Sequence, residues 1–302
     1  AQPLSTYHNP VLLAECIAGL NIHPNGIYVD VTFGGGGHSR EILNHLQSGR
    51  LIVFDQDEDA KQNLIDDERF SFVNSNFSRM ENFLKFYQGF PCDGILADLG
   101  VSSHQFDVPE RGFSTRFEGP LDLRMDTRKG ITAADYIASV EEQELARIFF
   151  KYGELPNARR IAGRIVYERN HQPITTVFQL KEALSSLAPR GKENSFYARI
   201  FQALRIEINH EMDALGDFLV QAINCLKPEG RLVVISYHSL EDRLVKNIMK
   251  SGNLDGTANK DFYGNLLTPF RVITRKPIIP SDDEINENSR ARSAKLRIAE
   301  KI

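Results

Sequence analysis

Over the first hundred residues, short apolar runs rich in β-branched side chains alternate with stretches whose apolar residues recur every three or four positions. This alternation restricts the fold more than any other feature of the chain. The runs occupy residues 27–33, 51–55, 70–74 and 94–99, and the amphipathic stretches residues 39–47, 58–66 and 78–86. Unbroken apolar runs suit strands buried on both faces, and strands separated by helices pair in parallel through right-handed crossovers. The expected architecture is a doubly wound α/β sheet. It resumes late in the chain, with a run at 231–237, a helical stretch at 240–250 and strand candidates at 270–275 and 294–300.

Between these portions the alternation stops. Turn-forming residues at 109–119 are followed by helical spacing at 132–150, 157–170, 177–187 and 195–215, with no convincing strand. The chain is therefore expected to divide into a first sheet portion at 1–108, an all-helical insertion at 109–210 and a second sheet portion at 211–302. With 36 Lys and Arg against 40 Asp and Glu, the net charge of −4 argues against indiscriminate polyanion binding by the whole surface. The insertion nevertheless holds 16 basic and 13 acidic residues. Residues 252–265 read as a polar loop, and the acidic run Asp282, Asp283, Glu284 and Glu287 as a solvated surface.

Cys16, Cys92 and Cys225 are odd in number and widely spaced, which fits neither a disulfide framework nor a metal clamp, so they read as buried thiols in a reducing compartment. No metal is expected. No apolar stretch approaches the roughly 18 residues of a membrane span. The start AQPLSTYHNP lacks the charge and apolar core of an export signal, so the expected location is cytoplasmic, with no membrane partner.

The first strand runs into Asp30-Val-Thr-Phe-Gly-Gly-Gly-Gly37-His38-Ser39, where a helix begins. Glycines at such a turn let a ligand approach the backbone, and the helix N-terminus offers free N–H donors. The loop lacks the Lys of a nucleoside triphosphate site, and Ser39 stands where a dinucleotide loop has its third glycine. Acids at Asp30, Asp55 and Asp98, with Asn76-Phe77 after the third strand, all fall at the carboxyl ends of strands, where open α/β sheets bind ligands. Carboxylates there suit S-adenosylmethionine, which carries a cationic amine, a sulfonium and a ribose diol.

Several further motifs follow in a fixed order: His8-x-Pro10-Val-Leu-Leu-x-Glu15, the glycine loop, Asp98-Leu-Gly-Val-Ser-Ser103-x-Gln105, Arg111-Gly-Phe-Ser114, Gly119-Pro-Leu-Asp-x-Arg124-Met-Asp126, His238-Ser-Leu-Glu-Asp-Arg243 and Asn288-Ser-Arg-Ala-Arg-Ser293. Together they resemble the RsmH (MraW) family, bacterial 16S ribosomal RNA cytosine N4-methyltransferases, over nearly the whole chain. The resemblance implies a class I, Rossmann-like S-adenosylmethionine-dependent methyltransferase sheet interrupted by a helical domain that recognises RNA. It assigns cofactor contacts to Gly36, Gly37, His38, Asp55, Phe77, Asp98 and Gln105. It also implies 16S rRNA as partner, within the small ribosomal subunit, with the oligomeric state open and a homodimer one alternative. Tyr237 stands where the family usually has Phe, a departure expected to lie apart from the cofactor set, as does His104.

The N4 amine of cytosine is a weak nucleophile whose lone pair is delocalised, so an enzyme must orient it and accept its hydrogen bonds. Asp98, His238 and Ser239 are the candidate catalytic residues, Asp98 as acceptor and His238 to orient the base or move a proton. The alternatives are Asp98 serving the cofactor alone and His238 fixing the turn into the next helix. Arg159, Arg160 and Arg164 share a helix and suit phosphates or a solvated face, and Arg290, Arg292, Lys295 and Arg297 form a second basic cluster on an expected strand. Two other functions fit the same residues: methyl transfer to a different amine, or RNA binding without turnover.

Overall fold

The computed structural model describes residues 9–302, so His8 lies outside the described residues. The chain forms two compact units, one made of the described residues up to Gly100 together with Met212–Ile302, the other of Val101–Glu211.

The first unit is built on a seven-stranded sheet. In chain order it comprises α1 (Leu13–Leu20), β1 (Ile27–Asp30), α2 (Gly37–Asn44), β2 (Arg50–Phe54), β3 (Phe70–Val73), α3 (Met80–Phe86) and β4 (Cys92–Asp98). After the second unit's helices α4 (Ser103–Asp107), α5 (Ala133–Ser139), α6 (Glu142–Lys151), α7 (Ala158–Arg169), α8 (Val177–Leu184) and α9 (Glu193–Ile208), it resumes with α10 (Glu211–Cys225), β5 (Leu226–Ser236), α11 (Ser239–Ser251), β6 (Phe270–Val272), α12 (Asp282–Glu287) and β7 (Lys295–Lys301). The strand order is β3-β2-β1-β4-β5-β7-β6, parallel except for β7, which runs antiparallel to both β5 and β6. This is the doubly wound α/β sheet expected from the sequence.

Alternation along each strand sends successive side chains to opposite faces. Val29, Ile52, Ile95 and Val234 pack in one apolar layer with Met80 of α3, Phe218 of α10 and Ile248 of α11. Tyr28, Leu51, Val53, Val233 and Ile235 pack in the other with Cys16 of α1 and Ile42 of α2. Because both faces are covered, the strands read as continuous apolar runs. The order β1-β2 against β1-β4 reverses direction across the sheet at β1, and the carboxyl ends of β1, β2 and β4 therefore border one crevice.

Several expected elements differ. The helix at 58–66 is only a 3₁₀ turn over Glu58–Asn63, capped by Asp57; Ala60 is its one buried residue, too little apolar surface to hold a longer helix on the sheet. The stretch at 132–150 is two helices, broken where Val140 and Glu141 turn extended. The stretch at 195–215 divides at His210, whose φ of 49° is left-handed. The acidic run forms α12, capped by Ser281, and Glu284 Oε2 accepts the Leu12 amide at 2.8 Å, so one of these acids has a structural task. Arg290 and Arg292 sit on a 3₁₀ turn rather than a strand, and Arg297 on β7 pairs with Asp242 at 2.7 Å, which takes three of the four residues out of the expected strand cluster.

The second unit is helical apart from an isolated bridge between Pro120 and Thr176, with a core centred on Leu145, Ile148, Phe149, Ile161, Ile165 and Ile200. Measured over Val101–Glu211, it holds 16 basic and 15 acidic residues, so its charge is nearly balanced and any attraction for polyanions is local. Among the described residues, no helix is long and apolar enough to cross a membrane.

Candidate active site

Three acids stand at the strand ends that border the crevice, and their surroundings differ. Asp30 ends β1 and is 1% exposed; its Oδ2 accepts the Ser39 hydroxyl at 2.6 Å and its Oδ1 the Thr32 amide at 3.1 Å. It is closed off from solvent and fastens the end of β1 to the start of α2. Burial raises its pKa. The Thr32 hydroxyl in turn accepts the Asp98 amide at 2.7 Å, tying the ends of β1 and β4 together.

Asp55 follows β2 and keeps part of its surface open. Its Oδ2 accepts the Gly34 amide at 2.7 Å and its Oδ1 the Asp57 amide at 2.9 Å, so this one carboxyl holds the glycine loop against the end of β2. Burial, the leading cause, lifts its pKa to about 7, and the two amide bonds oppose the shift. The Asn74 side chain donates to the Asp55 carbonyl at 2.9 Å, and Asn76 caps the turn carrying Phe77 by accepting the Ser78 amide at 2.8 Å. One face of the half-buried Phe77 ring stacks on Phe218, with centroids 4.9 Å apart and planes 14° from parallel.

The glycine loop owes its residues to two constraints. Gly36 caps α2 at a φ of 80°, a left-handed conformation that side chains resist. A Cβ on Gly37 would lie 2.2 Å from Pro10 Cγ, so the N-terminal segment packs directly on the start of α2. His38 is buried, with Nε2 donating to the Val11 carbonyl at 2.8 Å, which couples the same segment to the loop.

Asp98 ends β4 and is also partly open. The Tyr237 hydroxyl donates to its Oδ1 at 2.5 Å. Burial raises the Asp98 pKa to about 6, aided by Asp30 and Glu241, while His38 and the Tyr237 bond hold it down. Tyr237 itself is pushed well above its ordinary range, first by burial and then by the Asp98 charge, so it remains the donor. The expectation that Tyr237 stands apart from the cofactor set is therefore wrong: β4 and β5 pair Asp98 with Ile235, and Tyr237, two residues further on, falls opposite the carboxyl.

His238 is the N-cap of α11, its Nδ1 accepting the Glu241 amide at 3.4 Å. That contact leaves the hydrogen on Nε2, which is buried 3.4 Å from Glu241 Oε2 without the alignment of a hydrogen bond. Glu241 Oε1 accepts the Tyr237 amide at 2.9 Å, so one buried carboxyl orders the turn that carries both Tyr237 and His238. Ser239 is exposed at the first position of α11. Gln105 belongs to the helical unit, where it completes a capping box with Ser102, its Oε1 accepting the Ser102 amide at 3.1 Å. The cofactor assignment of Gln105 rests on the resemblance alone. Thr32, Tyr237 and Glu241 are the site residues that the sequence reading missed.

A match to the MraW methylase family runs over residues 5–302. The chain belongs to this family. It is 58% identical over 297 residues to the ribosomal RNA small subunit methyltransferase H of Bacteroides thetaiotaomicron, covering 98% of each chain. Proteins of the same name from Flavobacterium johnsoniae, 57% identical with 98% of each chain covered, and from Cytophaga hutchinsonii, 54% identical with 98% of this chain and 99% of the other, are similar to it over comparable lengths.

This methylase takes its methyl group from S-adenosylmethionine, and the residues of the crevice fit that molecule. Two partly open carboxyls of raised pKa gain from a cationic neighbour, and an acid just past the second strand suits a ribose diol. Asp55→Ala is expected to weaken cofactor binding roughly 10- to 100-fold, since a lost charged hydrogen-bond partner costs about 1.5–3 kcal/mol. The variant should also melt at lower temperature, because the Gly34 and Asp57 amides lose their acceptor. Titration calorimetry on the folded variant checks this, and unchanged affinity removes Asp55 from the site.

Proposed function

We propose that this protein methylates N4 of a cytidine in the decoding region of 16S ribosomal RNA, acting in the cytoplasm on the small ribosomal subunit. The carboxyl of Asp98, partly open at the end of β4 and held by Tyr237, carries the reading. S-adenosylmethionine supplies an electrophilic methyl on its sulfonium. Asp55, Phe77, Gly36, Gly37 and His38 would hold it, Asp55 offering a carboxylate to the ribose hydroxyls and Phe77 a ring face to the adenine.

Asp98 does the chemical work. As a carboxylate it accepts a hydrogen bond from the N4 amine, aligns the nitrogen for in-line attack and stabilises the positive charge that grows on it. Transfer would form the C–N bond as the methyl–sulfur bond breaks, its electron pair leaving with the neutral thioether; the nitrogen then carries one proton too many, and a carboxyl of pKa about 6 accepts it reversibly at neutral pH. Tyr237 keeps Asp98 in place.

Tritium transfer from labelled S-adenosylmethionine to purified subunits lacking the modification, followed by nucleoside analysis, tests the reading. Label in N4-methylcytidine is expected. Label in another nucleoside or in protein would overturn the target, and cofactor binding without transfer would favour a non-catalytic RNA-binding role.

The helical unit recognises RNA through a local basic patch. Arg159, Arg160 and Arg164 are all exposed on α7, and Arg160 and Arg164 line a cleft of about 300 Å³ with Tyr167. The Arg164 guanidinium lies 5.6 Å from the Tyr167 ring centroid and pairs with Glu168 at 2.8 Å, so Arg164 is partly satisfied within the unit. Replacing all three by Ala should weaken subunit binding and reduce the slope of log affinity on log salt by roughly two, at about 0.7–0.9 per phosphate contact. Cofactor affinity should hold, and an unaltered slope would make the three a solvated face.

A further inference from the structure

In the sheet unit, α11, β6 and β7 enclose a second cleft, of about 370 Å³, outside the crevice that holds the acids. Lys246 and Lys250 enter it from one face of α11, one helical turn apart, and Arg275 enters from the segment after β6. All three are exposed, and none has a hydrogen-bond or ion-pair partner among the described residues. Three arginines nearby are paired instead. Arg297, on the cleft's edge, is bound in a two-point pair by Asp242 at 2.7 and 3.0 Å, and Arg231 and Arg271 share Glu300 at 2.9 and 2.8 Å.

Like charges one turn apart on a helix repel each other, and the carboxylate one turn before Lys246, Asp242, is taken up by Arg297. Leaving three cations unpaired on one concave surface, in a chain of net charge −4, makes this cleft a strong local focus for an anion. Lys246 lies seven residues along α11 from Ser239, about 10 Å at 1.5 Å per residue, so the cleft flanks the reaction crevice on the same unit.

We propose that this cleft is a phosphate-binding site for the backbone of the RNA substrate, a contact on the sheet unit that holds the strand beside the reacting nucleotide. The proposal rests on the ribosomal RNA reading of the function. Lysine and arginine bind backbone phosphates without reading sequence, so the site supplies affinity and register rather than choice of base. Its contribution falls as salt rises.

The test uses the full-length protein and small-subunit RNA. Lys246→Gln, Lys250→Gln and Arg275→Gln combined should lower RNA affinity at least tenfold near 0.1 M salt and reduce the salt slope by two to three. S-adenosylmethionine affinity should stay unchanged, and the loss should appear in KM for RNA, with kcat at saturating RNA within about twofold. A second measurement needs no variant: bound RNA should protect Lys246 and Lys250 of the wild-type protein from an amine-reactive acylating reagent. Wild-type protein that binds RNA with both lysines unprotected, or a triple variant with an unaltered slope, overturns the site. Wild-type protein that binds no small-subunit RNA overturns the functional reading, and the site with it.

Discussion

Asp98→Asn is expected to lower the single-turnover rate by about 100-fold or more at saturating S-adenosylmethionine, the usual scale for a positioned acid or base, while cofactor affinity changes far less. Asparagine keeps the size of the side chain and one acceptor oxygen, so the end of β4 and the Asp98 amide bond to Thr32 should survive. What it loses is the negative charge, and that matters most where positive charge develops on the attacking nitrogen. An interaction stronger in the transition state than in the ground state shows itself as lost rate with preserved binding. The contrasting outcome is equally clear. If Asp98 serves only the cofactor, affinity falls and the rate at saturating cofactor stays near wild type, which moves the chemistry to His238 and Ser239.

The sheet was legible because its strands are buried on both faces, which leaves unbroken apolar runs such as Leu51 to Phe54. Helix boundaries in the second unit were not. Nothing in the spacing around Val140 distinguishes a helix that continues from one that turns extended, since Ala133, Ile137, Leu145 and Ile148 all face one core and keep a helical period across the break. Helix α1 was missed altogether. Its eight residues carry only a short apolar face, and Gly19 on that face lets Ile298 pack close, since a Cβ there would lie 2.6 Å from Ile298 Cδ1, a contact between residues far apart in the chain.

The site shows the same division. Asp30, Asp55 and Asp98 could be placed at strand ends because the strands could, but which of them are open to a ligand depends on partners such as Ser39, which closes Asp30. His238 reads as a helix cap from the acids that follow it, and it caps α11. The Tyr237 bond needed the β4–β5 register, which no local pattern reveals; its only sequence signal was the departure from the Phe usual in the family.

That departure gives the sharpest pH prediction. The Tyr237 hydroxyl bonds to the ionised form of Asp98 at 2.5 Å and so helps hold down a pKa that burial has already raised to about 6. Tyr237→Phe removes this donor with little change in shape. The loss of a bond to a charged group, about 1.5–3 kcal/mol, corresponds to roughly one to two pKa units at 1.36 kcal/mol each. Because the bond favours the carboxylate, its removal must raise the Asp98 pKa further. If the reaction needs Asp98 ionised, the acid limb of the rate profile should move from near pH 6 toward pH 7–8. The variant should then turn over roughly 10- to 100-fold more slowly than wild type below pH 6, by the same bond energy, and approach the wild-type rate at pH 9. Single-turnover rates at saturating cofactor and RNA across that range decide it. A merely structural role for Tyr237 would lower the rate by the same factor at every pH, and a profile identical to wild type would mean that ionised Asp98 does not act in the step.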